Sequence, residues 1–150
     1  MVIEACGPAS WFTGPRRTTD PYPGRIRFIH ECRPGFDVDC YSAKPYSVRQ
    51  WQHLVAVKSP SEMRLYLNGQ LADSKNAEGA LPAGVRVLMG QLLPVGANVD
   101  EQVTPRLFSG ELDEVALYDR VLKEEEIRNH YELARPDRNV PKDQMTRNLN

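Results

Sequence analysis

The chain has 150 residues, a length that fits one domain, and its composition of 41% hydrophobic and 26% charged residues is typical of a globular protein. Its 19 Lys and Arg residues nearly balance its 20 Asp and Glu residues, so the net charge is −1. We therefore expect no nucleic-acid partner, which would require clustered basic residues, and no membrane span, which would require roughly 20 consecutive apolar residues.

Short segments separated by turn-forming residues run through the chain, which contains twelve prolines and ten glycines. This pattern is typical of β proteins. Residues 2–6 form a candidate short strand ahead of a loop rich in Pro and Gly. In the segment GRIRFIHEC, alternation places Ile26, Phe28 and His30 on one face and polar side chains on the other. That alternation predicts a half-buried strand.

Two of the three cysteines are spaced for a disulfide. In the segment ECRPGFDVDC, Cys32 and Cys40 lie symmetrically about Phe36. If the flanking residues form a hairpin on that axis, the two thiols face each other within bonding range. A disulfide would indicate an exported protein. The alternative is a pair of free or partly buried thiols, and in either case Cys6 is left unpaired.

The segment WQHLVAVK, residues 51–58, predicts a central strand. His53, Val55 and Val57 share a face with Trp51, and Leu54 lies on the other face with Ala56. Because both faces are apolar, we expect burial on both sides. Trp51 is expected in the core, and His53 is expected to be a core histidine with a hydrogen-bonded ring N–H.

A β-hairpin is predicted in the segment MRLYLNGQLADS, residues 63–74. Met63, Leu65 and Leu67 lie on one face of the first strand, and Arg64 and Tyr66 lie on the other. The strand stops at Asn68-Gly69, a pair that suits a type I′ turn because both central residues need a positive φ.

The remaining predicted elements are two strands and a helix. The segments VRVLMGQL (85–92) and FSGELDEVALYD (108–119) read as strands, separated by a long loop over 93–107. VLKEEEIRNHYELA has helical periodicity and three acidic residues in its first turn, which complement the helix dipole. We expect the domain to end at residue 134 and the remaining residues, 135–150, to be a polar tail or linker.

Taken in order, WQHLVAVKSPSEMRLYLNGQL, VRVLMGQL and FSGELDEVALYDRVLKEEEI resemble the LamG-like jelly-roll domains of bacteria. These belong to the laminin G-like, concanavalin A-like lectin/glucanase superfamily. The resemblance covers about residues 24–134. It implies an all-β fold, an antiparallel jelly-roll sandwich with one short C-terminal helix.

One departure from the family pattern concerns the first strands of the fold. Family domains usually carry a further N-terminal portion, one strand of which lies beside the last strand. The expected domain, residues 1–134, is therefore either N-terminally truncated or a reduced jelly roll. An uncovered sheet edge exposes unpaired N–H and C=O groups, so self-association through that edge is expected.

The glucanases of the same superfamily show which residues catalysis would require. Their Glu-x-Asp-x-(x)-Glu motif supplies two carboxylates to the scissile bond. Glu111 and Asp113 match its first two positions, but the third position is occupied by Val115 or Ala116, and Glu114 lies on the opposite face. With one carboxylate of the pair missing, we predict that the protein is not an enzyme of this kind.

Other catalytic constellations are also missing from the sequence. His30, His53 and His130 have no metal-ligand spacing, and neither a nucleophile elbow nor a phosphate-binding glycine loop is found. The sequence therefore contains no catalytic residues that we would assign.

Asp113 is a candidate ligand for calcium. Alternation places it on the same face as Val115 and Leu117, so we expect it to point inward, where a carboxylate needs donors or a cation. The resemblance implies a structural calcium near this strand. The alternative is that Asp113 caps a loop by accepting backbone N–H groups. No other cofactor is expected.

Four aromatic residues in loops or near strand ends could form a sugar-binding platform, namely Trp11, Tyr22, Tyr41 and Tyr46. The alternative is that they pack at loop bases. The first function hypothesis is a module that binds carbohydrate or another extracellular ligand in a bacterial surface or secreted protein. The second is a structural or protein-interaction domain without a small ligand, as a fragment of a larger chain. An extracellular location follows from the resemblance, although the start MVIEACGPAS does not read as a signal peptide.

Overall fold

The structure is a computed structural model that describes residues 2–5, 22, 24–33, 36–47, 49–79, 89, 91–92, 106–108 and 110–135. Within these ranges the chain forms antiparallel sheets and one short helix, which confirms the predicted all-β class. The elements are β1 (Val2–Ala5), β2 (Ile26–Arg33), β3 (Phe36–Tyr41), β4 (Leu54–Lys58), β5 (Glu62–Leu67), β6 (Gln70–Asn76), β7 (Gln91–Leu92), β8 (Arg106–Leu107) and α1 (Glu124–Ala134).

The strands are arranged in two three-stranded sheets, β1-β2-β3 and β4-β5-β6, and one two-stranded sheet, β7-β8. The main core lies between the two larger sheets, because each turns the apolar side of its alternating strands toward the other. Its fully enclosed members are Ile26, Phe28, Cys40, Met63, Leu65 and Ala77. Burial of these side chains is the main source of stability for the pair of sheets.

The second sheet is covered on its outer face by α1. Val57 and Tyr66 from the sheet pack against Leu122 and Ile127, and all four are buried. The sheet is therefore packed on both sides, as the apolar pattern of residues 54–58 indicates. One face of the second sheet meets β2 and β3, and the other face meets α1. The buried side chains of the two faces therefore belong to separate hydrophobic clusters.

The prediction that Trp51 is a core residue is wrong. The Trp51 side chain is 52% exposed, and Leu54 is exposed as well. The reason lies in the ladder, in which Leu54 at the start of β4 pairs with Leu67 at the end of β5. Trp51 precedes β4, so it lies beyond the paired part of the sheet.

The predicted hairpin is confirmed. Asn68 and Gly69 have φ angles of 52° and 74°, the positive pair that a type I′ turn needs. The Asn68 side chain also forms hydrogen bonds with the residues that precede β4. Its Oδ1 accepts the His53 backbone N–H at 3.0 Å, and its Nδ2 donates to Gln52 Oε1 at 3.0 Å.

The predicted Cys32–Cys40 disulfide is not formed. Only two residues separate β2 from β3, so the hairpin closes more tightly than expected and Cys40 pairs with Phe28. The Cys40 thiol is free and buried, and it donates to the Met63 carbonyl at 3.7 Å. Burial, followed by the nearby Asp73 carboxylate, raises its pKa to about 12. Cys6 and the Cys32 side chain lie outside what the structure describes.

The prediction of a strand over 108–119 is wrong for the residues of this segment that the structure describes. Phe108 and residues 110–121 form no strand, and every side chain among them is exposed, Leu117 by 78%. An alternating pattern buries one face only when a neighbouring strand pairs with it, and no described strand does so here. Of the predicted strand 85–92, β7 forms the last two residues, and residues 80–88 lie outside the described ranges.

The predicted helix is confirmed and ends at Ala134. Its first turn is held by Glu126, whose carboxylate accepts the Lys123 backbone N–H at 2.8 Å. Two guanidinium hydrogen bonds from Arg120, of 3.0 and 2.7 Å, reach the same carboxylate. No helix in the described part of the chain is long and apolar enough to cross a membrane. The predicted tail from residue 136 onward falls outside the described residues.

Candidate functional site

A tight turn leads into β2 and presents an aromatic side chain. The Arg25 backbone N–H donates to the Tyr22 carbonyl at 3.3 Å, and Gly24 between them has a φ of 79°. A positive φ at the third residue, after proline, is typical of a type II turn. The Tyr46 N–H donates to the Gly24 carbonyl at 2.9 Å, so the turn is fastened to the segment that follows β3.

The turn brings Tyr22 against Tyr41, the last residue of β3. The ring centroids lie 4.9 Å apart with an angle of 68° between the planes, an edge-to-face pair. Tyr22 remains 43% exposed. We use the name Tyr22–Tyr41 surface for these two residues together with Arg25, Arg27 and Asp39.

Charged groups flank the two rings on the outer side of the first sheet. Arg27 pairs with Tyr41 across the β2-β3 ladder, and its guanidinium carbon lies 5.8 Å from the Tyr41 ring centroid. Arg27 also makes a two-point contact with Asp39, through Nε–Oδ1 at 2.9 Å and Nη2–Oδ2 at 2.8 Å. The guanidinium carbon of Arg25 lies 4.6 Å from the Tyr22 centroid. The two rings are therefore in contact with each other, and each has an arginine beside it.

The second sheet supports the surface through Asp73. Its Oδ2 accepts the Tyr41 backbone N–H at 3.1 Å, which closes the end of β3 against β6. Its Oδ1 accepts from Lys75 Nζ at 2.9 Å, and this bond raises the pKa of Lys75. Tyr41 is thus held by hydrogen bonds from both sheets, and its ring has a defined position before any ligand binds.

Three of the four predicted aromatic residues are described, and they do not all lie on one surface. Tyr22 and Tyr41 meet at one surface, whereas Tyr46 is partly buried and packs against the main core. Tyr46 therefore matches the alternative prediction of packing at a loop base. Trp11 lies outside the described residues.

Sequence reasoning did not identify Arg25, Arg27, Asp39 and Asp73 as members of a site. Alternation places Arg25 and Arg27 on the polar face of the strand predicted in GRIRFIHEC. This is the signal in the sequence that could have identified them. Their partners depend on the register of the β2-β3 hairpin, which alternation does not specify, and on the contact of β3 with β6, which are distant in sequence.

Asp113 does not point inward as expected. It is exposed, and its Oδ1 accepts the backbone N–H of Glu114 at 2.9 Å, where Glu114 has a φ of 50°. In the described part of the chain no three His, Cys, Asp or Glu side chains come together as a metal site. The described neighbours of Asp113 therefore do not fit a calcium ion, and the contact seen corresponds to the capping alternative.

The carboxylates compared with the glucanase motif also lie on this segment. Glu111, Asp113 and Glu114 are all exposed, and none of them lies on a strand. A retaining or inverting pair must flank the same glycosidic bond from fixed positions. An exposed segment without a paired strand does not supply that geometry.

The three histidines do not come together in one cluster. His30 is buried beside the main core, where desolvation and then Lys58 lower its pKa. His53 lies near Tyr131 of α1, with 6.0 Å between the ring centroids. Its Nδ1 is buried and has no hydrogen-bond partner among the described residues, and burial followed by His130 lowers the pKa of His53.

Comparison with known proteins places the chain in a family. One solved structure that matches the chain is an S-layer domain-containing protein from Clostridium thermocellum, with 21% sequence identity and a TM-score of 0.49. The match covers 73% of this chain and 52% of that one, so the chain spans about half of the solved protein. No curated protein matches the chain significantly. A family profile matches residues 18–128, and the chain therefore belongs to a laminin G-like family of the concanavalin A-like lectin/glucanases superfamily.

Proposed function

We propose that this protein is a non-catalytic module that binds carbohydrate at the Tyr22–Tyr41 surface, in a bacterial surface or secreted protein. The observation that carries the proposal is the pair formed by the exposed Tyr22 and the half-buried Tyr41, with centroids 4.9 Å apart beside the Arg27–Asp39 ion pair. Membership of a lectin and glucanase superfamily supports a sugar as the ligand class. The extracellular location rests on the family.

The aromatic and the charged side chains of this surface suit the two kinds of group on a sugar ring. Aromatic rings pack against the apolar C–H face, and fixed polar groups orient the hydroxyls. Asp39 supplies acceptor oxygens and Arg27 supplies donors, and their mutual two-point contact holds both side chains in place. A ligand would therefore meet a surface that needs little ordering, which favours binding.

Retention on a panel of insoluble and gel-embedded polysaccharides tests the proposal. The wild-type protein is compared with Tyr22→Ala and Tyr41→Ala, each checked for a cooperative melt by circular dichroism. We expect retention on at least one polysaccharide that both variants lose. Losing a stacked ring costs roughly 1.5–3 kcal/mol, which converts to about tenfold or more in affinity.

The matched control is Tyr118→Ala. Tyr118 is also an exposed tyrosine with an arginine nearby, since the guanidinium carbon of Arg120 lies 5.9 Å from its ring centroid. It belongs to the exposed segment before α1 and not to the proposed site. Retention equal to the wild type in Tyr118→Ala supports the assignment. Equal losses in all three variants, or no loss in the Tyr22 and Tyr41 variants, would contradict it.

A second candidate function, a protein-interaction domain, is favoured by the exposed apolar residues of segment 110–121. These are Leu112, Val115, Leu117, Tyr118 and Val121. Clustered exposed apolar side chains mark interaction surfaces or association-prone edges. Sedimentation of the wild type against Leu117→Ser tests this function. Concentration-dependent association that Leu117→Ser reduces would favour it, whereas a monomer at all concentrations would count against it.

A further inference from the structure

We propose that the polysaccharide bound at the Tyr22–Tyr41 surface is acidic, with uronic acid units whose carboxylate binds Arg25. This inference rests on the proposed function and names the ligand class for the same site. It is carried by the charges of the surface and by the fixed position of Arg25.

Two of the three positively charged side chains around the site have a carboxylate partner. Arg27 is paired with Asp39, and Lys75 is paired with Asp73, with the closest contacts at 2.8 and 2.9 Å. Among the described residues no carboxylate forms an ion pair with Arg25. Within the described residues, the surface therefore has one guanidinium without a carboxylate partner, beside an exposed aromatic ring.

The position of Arg25 is set by the turn that also positions Tyr22. The backbone hydrogen bond between the two residues and the guanidinium contact of 4.6 Å hold the cation against the ring. Arg25 is partly buried, so its side chain loses less freedom when it binds an anion than a fully exposed arginine would. A sugar packed against Tyr22 would bring a substituent of its ring within reach of this guanidinium.

A carboxylate fits this arrangement better than a densely sulfated polymer does. One guanidinium offers a planar fork that matches one planar carboxylate with two parallel hydrogen bonds. Highly charged polyanions are attracted instead by clusters of basic residues, and the whole chain has a net charge of −1. The chemistry expected is therefore one anionic group per bound sugar unit, recognised at a single point.

The experiment compares two polymers with the same sugar backbone. Polygalacturonate carries free carboxylates, and its fully methyl-esterified form does not. Affinity is measured for the wild type, Arg25→Gln, Arg25→Lys and the control Arg128→Gln. Arg128 is exposed on α1, so its variant removes the same net charge away from the site. Each variant is first checked for an unchanged thermal melt.

We expect the wild type to bind polygalacturonate roughly tenfold or more tightly than the esterified polymer, because a charge-assisted contact is lost. Arg25→Gln should abolish the preference, and Arg25→Lys should retain only part of it because the fork is missing. Arg128→Gln should behave as the wild type. The preference should weaken with added salt.

Several outcomes would overturn the inference. These are equal binding of both polymers, a preference that survives in Arg25→Gln, or retention of neither polymer. Tighter binding of dextran sulfate that Arg25→Gln and Arg128→Gln weaken equally would indicate general attraction of anions instead. Binding of a neutral glucan that depends on Tyr22, without a preference for polygalacturonate, would overturn the acidic ligand and leave the proposed function standing. Polygalacturonate binding unaffected by Tyr22→Ala and Tyr41→Ala would overturn both.

Discussion

Tyr131 of α1 packs directly over Gly69 in the hairpin turn. A Cβ atom at Gly69 would lie 3.0 Å from both the Cβ and the Cδ1 atoms of Tyr131. The glycine therefore has two functions, since its φ of 74° forms the type I′ turn and its missing side chain admits the helix. The turn and the docking of α1 depend on the same residue.

Gly69→Ala should lower the free energy of unfolding by about 2–4 kcal/mol, from backbone strain and the contact with Tyr131 together. The control is Gly79→Ala, where φ is 101° but no atom lies within 4 Å of the added Cβ. That variant should lose only the backbone component, about 1–2 kcal/mol. Urea unfolding followed by circular dichroism measures both, and equal losses would contradict the close packing of Tyr131.

Acidification should destabilise the protein below about pH 6.5, the ordinary pKa of histidine. His53 and His30 both have lowered pKa values in the folded state, chiefly from burial. The unfolded chain therefore binds protons first as the pH falls, and stability that is complete above pH 6.5 is lost progressively below it. Urea unfolding at pH 7.5 and pH 5.5 measures the loss.

His53→Gln should reduce that loss, because glutamine does not titrate and only the contribution of His30 remains. Burial is the main cause of the lowered pKa of His53, because the charged imidazolium loses hydration in the folded protein. An identical pH dependence in the wild type and in His53→Gln would show that His53 is not the responsible group.

The Cys40 thiol should be unreactive in the folded protein. Its pKa of about 12 keeps the nucleophilic thiolate scarce, and the side chain is fully buried. A variant with Cys6→Ser and Cys32→Ser leaves Cys40 as the single thiol. At pH 8 we expect labelling by a thiol reagent only after unfolding in urea. Rapid labelling of the folded variant would contradict the burial of this residue.

Glu126 should stabilise the start of α1 down to strongly acidic pH. Hydrogen bonds from Arg120 and from the Lys123 backbone lower its pKa to about 2. Its contribution is complete above about pH 4.5 and is lost as the pH falls toward 2. Glu126→Gln should therefore lower the melting temperature at pH 7, and the difference should vanish near pH 2. Glu125→Gln, on the exposed side of the same turn, is the control, and a loss of equal size there would contradict the assignment.

Asp113→Ala should lower stability by about 0.5–1 kcal/mol, because its described contact is one hydrogen bond to a backbone N–H. The loss should be the same with calcium and with a chelator. Thermal melts under the two conditions measure it. A loss that occurs only with calcium would support the alternative of a metal ligand at this position.

The elements predicted well from the sequence are those specified by neighbouring residues. The β5-β6 hairpin follows from alternation and an Asn-Gly pair, and α1 follows from its periodicity and acidic first turn. These signals are local, because a turn and the strands it joins are formed by contiguous residues. Distant packing was not needed to predict either element.

The wrong predictions for the disulfide, for the strand over 108–119 and for Trp51 all depended on which residues pair across a sheet. The disulfide assumed a hairpin axis at Phe36, and the observed register pairs Cys40 with Phe28. The strand over 108–119 assumed a neighbour, and Trp51 was assigned to a strand that begins three residues later. In each case the pattern was compatible with more than one pairing, and side-chain periodicity does not distinguish among them.

The sequence by itself determined the all-β class, the central hairpin, the closing helix and the family, because each is encoded in contiguous motifs. Only the tertiary structure decided which aromatic residues share a surface. Tyr22 and Tyr41 meet through a turn, a strand register and the Asp73 contact from the other sheet. The free energy of such a contact depends on which segments fold beside each other, and no local pattern of residues contains that information.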